Sequence, residues 1–141
     1  RVGDVGAGQL CKAVNQVVIA GTYAAVAEGL SLAMASGIDP EATLRAISGG
    51  AAGSWGLTHR GPNMLAGRYP LGFRTRHHRK DLGIALDAAR AQGIPVPLAA
   101  WVEQQETERV RRGFGDEDVS NLARLAREAA GIDPLPGPDD G

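Results

Sequence analysis

The chain has 141 residues, with 15 Lys+Arg against 16 Asp+Glu for a formal charge of −1; this fits one domain or part of a larger protein, and not a general polyanion binder. Its single cysteine, Cys11, rules out an intrachain disulfide scaffold. With 23 Ala and 20 Gly against 4% aromatics, the core has to pack backbones closely, although 43% hydrophobic content still suffices for a globular domain. Arg1-Val2-Gly3-Asp4 shows no charged-then-apolar leader pattern, so a cytoplasmic location is the expectation.

In chain order the punctuation is helical. Residues 9–36 read as one helix of about 28 residues, roughly 42 Å long, with Gly37 as a left-handed stop. Between Val17 and Ile38 the only charge is Glu28, a run long enough to span a bilayer. About half of that run is Ala, Gly, Ser or Thr, and a carboxylate at mid-depth is costly, so a buried helix without a membrane is expected. Asp39-Pro40-Glu41 supplies an N-cap, a first-position proline and an acidic first turn for a helix ending at Ser48. Ser54 can cap a short turn to His59, and Pro62 can start another that stops at Gly67. Residues 68–76 read as a loop and 78–92 as a helix with Leu82, Ala85, Leu86 and Ala89 at helical spacing. Ile94-Pro95-Val96-Pro97 must be extended. Residues 98–112 then form an amphipathic helix through Leu98, Trp101, Val102 and Gln105, and 119–130 a last helix. No period-2 run of strand residues follows Val5, so the fold class is all-α. The domain spans 1–131, with 132–141 as a flexible tail.

Chemistry concentrates at the N-terminus, in Gly3-Asp4-Val5-Gly6-Ala7-Gly8-Gln9-Leu10-Cys11-Lys12-Ala13-Val14-Asn15-Gln16. The glycines lack the spacing of a Walker loop or a dinucleotide fingerprint, and suit a helix entry that passes close to another backbone. Lys12 stands about one turn into a helix nearly free of charge, with Asn15 and Gln16 at i+3 and i+4 on the same face. It is either a solvated first-turn cation or a lysine in a partly dry cleft that exchanges a proton with substrate. The cluster Arg74-x-Arg76-His77-His78-Arg79-Lys80 is either solvated surface, a nucleic-acid patch or a site facing an anion. Adjacent His77 and His78 cannot share a helical face as metal ligands do, and no metal is expected.

The run Gly3-x-x-Gly6-x-Gly8-x-x-x-Lys12-x-x-Asn15-Gln16 resembles the catalytic segment of the β-hydroxyacid dehydrogenases, which include 3-hydroxyisobutyrate dehydrogenase and tartronate semialdehyde (2-hydroxy-3-oxopropionate) reductase. The resemblance continues through Ala27-Glu28-Gly29-Leu30, Gly37-Ile38-Asp39-Pro40, Gly49-Gly50-Ala51-Ala52-Gly53-Ser54 and Pro70-Leu71-Gly72-Phe73. It extends to Lys80-Asp81-Leu82, Pro95-Val96-Pro97-Leu98 and Gly115-Asp116-Glu117-Asp118-Val119-Ser120. It implies a multi-helix domain around one long central helix, like the C-terminal domain of 6-phosphogluconate dehydrogenase.

The same resemblance implies that Lys12 is the catalytic lysine and that Asn15 and Gln16 contact substrate. Lys80 would approach the cofactor near its nicotinamide end, Phe73 would help close the cleft, and Asp81 would orient Lys80 or cap the helix start. The Asn15-Gln16 pair is more similar to the tartronate semialdehyde reductases than to the Asn-Asn of many 3-hydroxyisobutyrate dehydrogenases. The expected activity is NAD- or NADP-dependent oxidation of a small 3-hydroxy acid, or reduction of its semialdehyde, by a homodimer or homotetramer without nucleic acid. No Rossmann half is recognisable in these residues, so the chain is expected to be the C-terminal half and inactive alone. The alternative is a non-catalytic helical dimerisation module of the same fold.

Overall fold

The computed structural model describes residues 2–132. Most of the expected tail, 133–141, lies outside the described residues, as does Arg1. Six α-helices and one 3-10 turn follow in order: α1 (Ala7–Ala35), α2 (Pro40–Ser48), α3 (Trp55–Ala66), α4 (Thr75–Ala91), α5 (Pro97–Arg111), the turn Val119–Asn121 and α6 (Leu122–Ala129). Among the described residues there is no strand, and only an isolated bridge joins Arg74 to Asp118. The fold is all-α around a long central helix, with α1 packed against α3, α4, α5 and α6.

Helix α1 stops where Gly37 takes a left-handed φ of 74°, a conformation that an L side chain resists. Its contribution to the core is mostly small: Ala20, Ala24, Ala27 and Ala33, with Tyr23, Val26 and Leu30 as the larger groups. Small residues let α3 come close. A Cβ at Gly56 would lie 2.6 Å from the Tyr23 ring, so glycine is what permits this crossing. Burial is nevertheless incomplete: 44% of the most apolar 18-residue window of α1 is inside the protein. Val14, Val18 and Leu32 are exposed, where an enclosed helix was expected.

The expected caps account for two helix starts. Asp39 Oδ1 accepts from the Glu41 and Ala42 N–H groups at 3.0 Å, and Ser54 Oγ accepts from Leu57 N–H at 3.0 Å. Two turns expected around Pro62 are in fact the single helix α3, with Pro62 inside it. A proline inside a helix gives up one main-chain hydrogen bond and crowds the turn before it. The buried Leu57, Gly61 and Met64 nevertheless hold the helix on the core to both sides of Pro62, with Gly61 against Leu44.

Two further differences bear on function. Helix α4 begins at Thr75, three residues earlier than expected, because Thr75 is buried, its N–H donating to the Glu117 carbonyl and its hydroxyl to Asn121 Oδ1. Helix α5 turns a different face inward. Ala99, Val102, Glu106 and Arg109 are buried, whereas Leu98 and Trp101 are 54% and 43% exposed. The loop before α4 is held by fully buried Asp118: its Oδ2 accepts from Gly72 N–H (3.0 Å) and Phe73 N–H (2.9 Å), and its Oδ1 faces Arg60 Nε at 3.1 Å.

Candidate active site

The first buried residue of α1 is Gln16. Lys12 lies one turn before it, at the end of the helix that leaves the core, with a side chain 64% exposed. Opposite both stands Asp81, in the second turn of α4, its side chain only 7% exposed. Lys12 Nζ is 3.0 Å from Asp81 Oδ2, and Gln16 Nε2 donates to the same oxygen at 3.0 Å. Lys80 Nζ is 3.9 Å from the other oxygen, Oδ1. A buried carboxylate needs such company. Burial by itself would raise the Asp81 carboxyl, but hydrogen bonds from Lys12 and Gln16 and the charges of Lys12 and Lys80 outweigh it and hold the group below its ordinary value.

These residues line an open cleft of about 320 Å³, together with Gln9, Ala13 and Ile84. The structure therefore brings Lys12, Gln16, Lys80 and Asp81 together. Asp81 does not cap α4; its shorter contact is to Lys12, and it also stays within ion-pair distance of Lys80. Asn15 is linked to the group, donating from Nδ2 to Gln16 Oε1 at 3.1 Å, but it lines the neighbouring groove with Ser54 and Trp55. Phe73 is not part of the cleft wall and packs edge-on against His78, ring centres 5.9 Å apart. The cleft is walled from α1 and α4 alone, which leaves Lys12 more open than a partly dry site would.

Most of the cationic cluster is already neutralised. Arg74 and Arg76 both reach Asp116, at 3.2 and 2.6 Å, and Arg79 reaches Glu103 at 3.4 Å. Lys80, 71% exposed, is the member of the cluster that lines the cleft. Among the described residues no three His, Cys, Asp or Glu side chains gather as metal ligands.

Behind the cleft lies a group that the sequence reading missed. His78 is fully buried, with Nδ1 2.6 Å from Glu106 Oε1 and Nε2 3.2 Å from the Gln16 main-chain oxygen. Arg109, also fully buried, brings Nη2 to 3.5 Å from Glu106 Oε1. Burial draws its guanidinium down to about 10, against the opposing pull of Glu106, Tyr69 and Glu117. The only sequence sign was the spacing: Glu106 and Arg109 continue the inward row of Ala99 and Val102 at helical intervals.

Residues 6–126 match the protein-family model described as the NAD-binding segment of NADP-dependent 3-hydroxyisobutyrate dehydrogenase. The chain belongs to the β-hydroxyacid dehydrogenase family. It is 46% identical over 127 residues to an uncharacterized oxidoreductase of Shewanella frigidimarina, covering 89% of this chain and 44% of that protein. It is 37% identical over 123 residues to the 2-hydroxy-3-oxopropionate reductase of Escherichia coli, covering 87% of this chain and 42% of that one. A crystal structure of 3-hydroxyisobutyrate dehydrogenase from Salmonella typhimurium superposes with a TM-score of 0.82 at 30% identity, over 89% of this chain and 44% of that one. The chain thus spans a little under half the length of these relatives.

The cofactor that goes with this family is NAD or NADP. The lining of the cleft is compatible with the functional end of such a group. Lys12 and Lys80 are exposed cations, Gln9 adds an exposed amide, and Ala13 and Ile84 offer an apolar surface. That donor set suits a partner that is anionic or accepts hydrogen bonds and has a flat apolar face.

Proposed function

We propose that this chain is the helical half of an NAD(P)-dependent 3-hydroxyacid dehydrogenase or semialdehyde reductase, of the tartronate semialdehyde reductase or 3-hydroxyisobutyrate dehydrogenase type. The observation that carries the reading is the Lys12–Asp81–Gln16 constellation: an accessible ammonium held 3.0 Å from a buried carboxylate that a neighbouring amide also grips. An ammonium held at this place is within reach of a bound oxygen and can serve as its proton donor. When bound, NAD(P)H supplies the hydride. Lys12 gives its proton to the aldehyde oxygen of the substrate in reduction and recovers it in oxidation. Asp81 keeps the exposed Lys12 ammonium directed along the cleft between turnovers. Gln16 locks the Asp81 carboxylate, and Asn15 presents its amide to the substrate from the next groove. Lys80 holds an anionic part of the cofactor at the rim, and Phe73 braces the start of α4 beneath it.

In this reading the substrate is a small 3-hydroxy acid or semialdehyde, the protein works in the cytoplasm as a homodimer or homotetramer, and the isolated chain has negligible activity. Robust NAD(P)H-dependent reduction of tartronate semialdehyde by the isolated chain would overturn the last point. The central test is Lys12→Ala in the chain joined to a cofactor-binding half. Loss of about 10²–10⁴-fold in kcat is the expected outcome, and unchanged turnover removes the enzyme assignment. A second reading, a non-catalytic dimerisation module, draws on the exposed Leu10, Val14 and Val18 at four-residue spacing along α1. It predicts a stable dimer by light scattering together with indifference of activity to Lys12→Ala.

A further inference from the structure

The two ring nitrogens of His78 face different chemistry. Nε2 lies 3.2 Å from the main-chain oxygen of Gln16, which only accepts, so Nε2 must carry a hydrogen and donate. Nδ1 lies 2.6 Å from Glu106 Oε1. The proton in that contact can rest on the imidazole or on the carboxyl; in both arrangements Nε2 keeps its hydrogen and the bond to Gln16 survives. Glu106 is in turn held by Arg109 at 3.5 Å, and all three side chains are fully buried.

Gln16 is consequently fastened to α4 at two points. Its main-chain oxygen is held by His78, and its side-chain amide is held by Asp81 at 3.0 Å. His78 and Asp81 are three residues apart on one helical face, so the two bonds fix both the position and the rotation of α1 at this turn. The Asp81 oxygen that takes the Gln16 amide is also the one that takes Lys12 Nζ. A shift of Gln16 is transmitted to the Lys12–Asp81 pair with no other joint between them.

We infer that His78, oriented by Glu106, is a positioning residue for the Lys12–Asp81 pair, acting through the main chain of Gln16. The inference rests on the catalytic reading of Lys12. A charged group buried in a core costs more than apolar side chains of the same size. Here that expense falls directly behind the one buried residue of the site end of α1, and it links α5 to the cleft, from which Glu106 and Arg109 are otherwise absent.

The test uses the full-length protein carrying this chain, with Lys12→Ala as the control for the catalytic reading. His78→Phe keeps the volume and removes the donor. It is expected to lower kcat by about 10–10²-fold, the scale of misplacing a reacting group by an ångström, with KM changed by no more than about twofold. NMR titration should show the Asp81 carboxyl moving up towards its ordinary value in this variant. His78→Gln, whose amide can still donate to the Gln16 oxygen, should restore part of the rate. Replacing Glu106 and Arg109 together, as Glu106→Met with Arg109→Leu, leaves no unpaired charge and should lower kcat in the same direction.

Unchanged turnover in Lys12→Ala defeats the catalytic reading and this inference with it. Loss in Lys12→Ala, with kcat and the Asp81 titration both unmoved in His78→Phe, overturns the inference alone. Should His78→Phe not fold, nitrogen NMR of the unaltered protein decides: a hydrogen on Nε2 coupled to the Gln16 carbonyl carbon upholds the inference, and a bare Nε2 overturns it.

Discussion

The two ends of α1 share a background of small and aliphatic residues and do opposite work. Its C-terminal two-thirds give Ala20, Tyr23, Ala24, Ala27 and Leu30 to the core, with Leu30 1% exposed. Its first three turns bury only Gln16 and hold Leu10, Lys12 and Val14 out in solvent. The polar residues Lys12, Asn15 and Gln16 mark the first end, but exposed Leu10 and Val14 there are no less apolar than the buried residues of the other. The difference is one of partners: the buried end is flanked by α3, α5 and α6, and the other meets α4 at a line of polar contacts. One continuous helix thereby transmits the rigidity of the core to a lysine that the core does not cover.

Several measurements can break that division or sharpen it. The largest effect expected is on rate: Lys12→Ala in the full-length protein should lose about 10²–10⁴-fold in kcat, while its unfolding free energy in urea falls by no more than about 1 kcal/mol, because an exposed ammonium is lost from a carboxylate that Gln16 and Lys80 still accompany. Equal losses of rate and stability would show that the two ends are not separate. At the buried end, Leu30→Ala should destabilise the fold by about 2–5 kcal/mol through loss of contact and a residual cavity, read from the same denaturation curves. Gly56→Ala should cost about 1–3 kcal/mol, because the Tyr23 ring has to yield to the new methyl group. Thermal melts that leave Gly56→Ala at the wild-type midpoint would refute the close α1–α3 crossing.

The smallest effect lies at the junction of the two ends. The Asp81 carboxyl is held below its ordinary value in the folded chain, so the unfolded chain binds that proton more readily. The stability contributed by Asp81 is complete above the ordinary carboxylate range and disappears as pH falls through the lower, folded value. Unfolding measured against pH should therefore show a shallower acid limb in Asp81→Asn than in the unaltered chain. An identical limb would mean that Lys12 and Gln16 do not grip the carboxylate in solution.

What could be read from sequence follows the reach of each interaction. The caps at Asp39 and Ser54 and the stop at Gly37 are local, and each is visible within four residues. Pro62 misled because a proline is a strong breaker locally, while the burial of Leu57, Gly61 and Met64 that outweighs it is set by tertiary packing. The inward face of α5 was misplaced because Glu106 and Arg109 look like solvent residues until each is seen to neutralise the other and to serve His78. In the site, Lys12, Asn15 and Gln16 stand out as polar groups within about one turn of an apolar helix. The Gln16–Asp81 bond crosses 65 positions and has no local trace, whereas the approach of Lys80 to Asp81 is between sequence neighbours and is legible.

Asp118 carries a consequence for the order in which this domain can be completed. The N–H groups of Gly72 and Phe73 find their acceptor 46 and 45 residues further along the chain. Contacts of such separation form only after a long loop has closed. The segment that leads into α4 therefore cannot make these bonds until residue 118 has been synthesised and brought back to it. A chain shortened before residue 118 would keep every residue of the cleft and lose the clasp that aims its second wall.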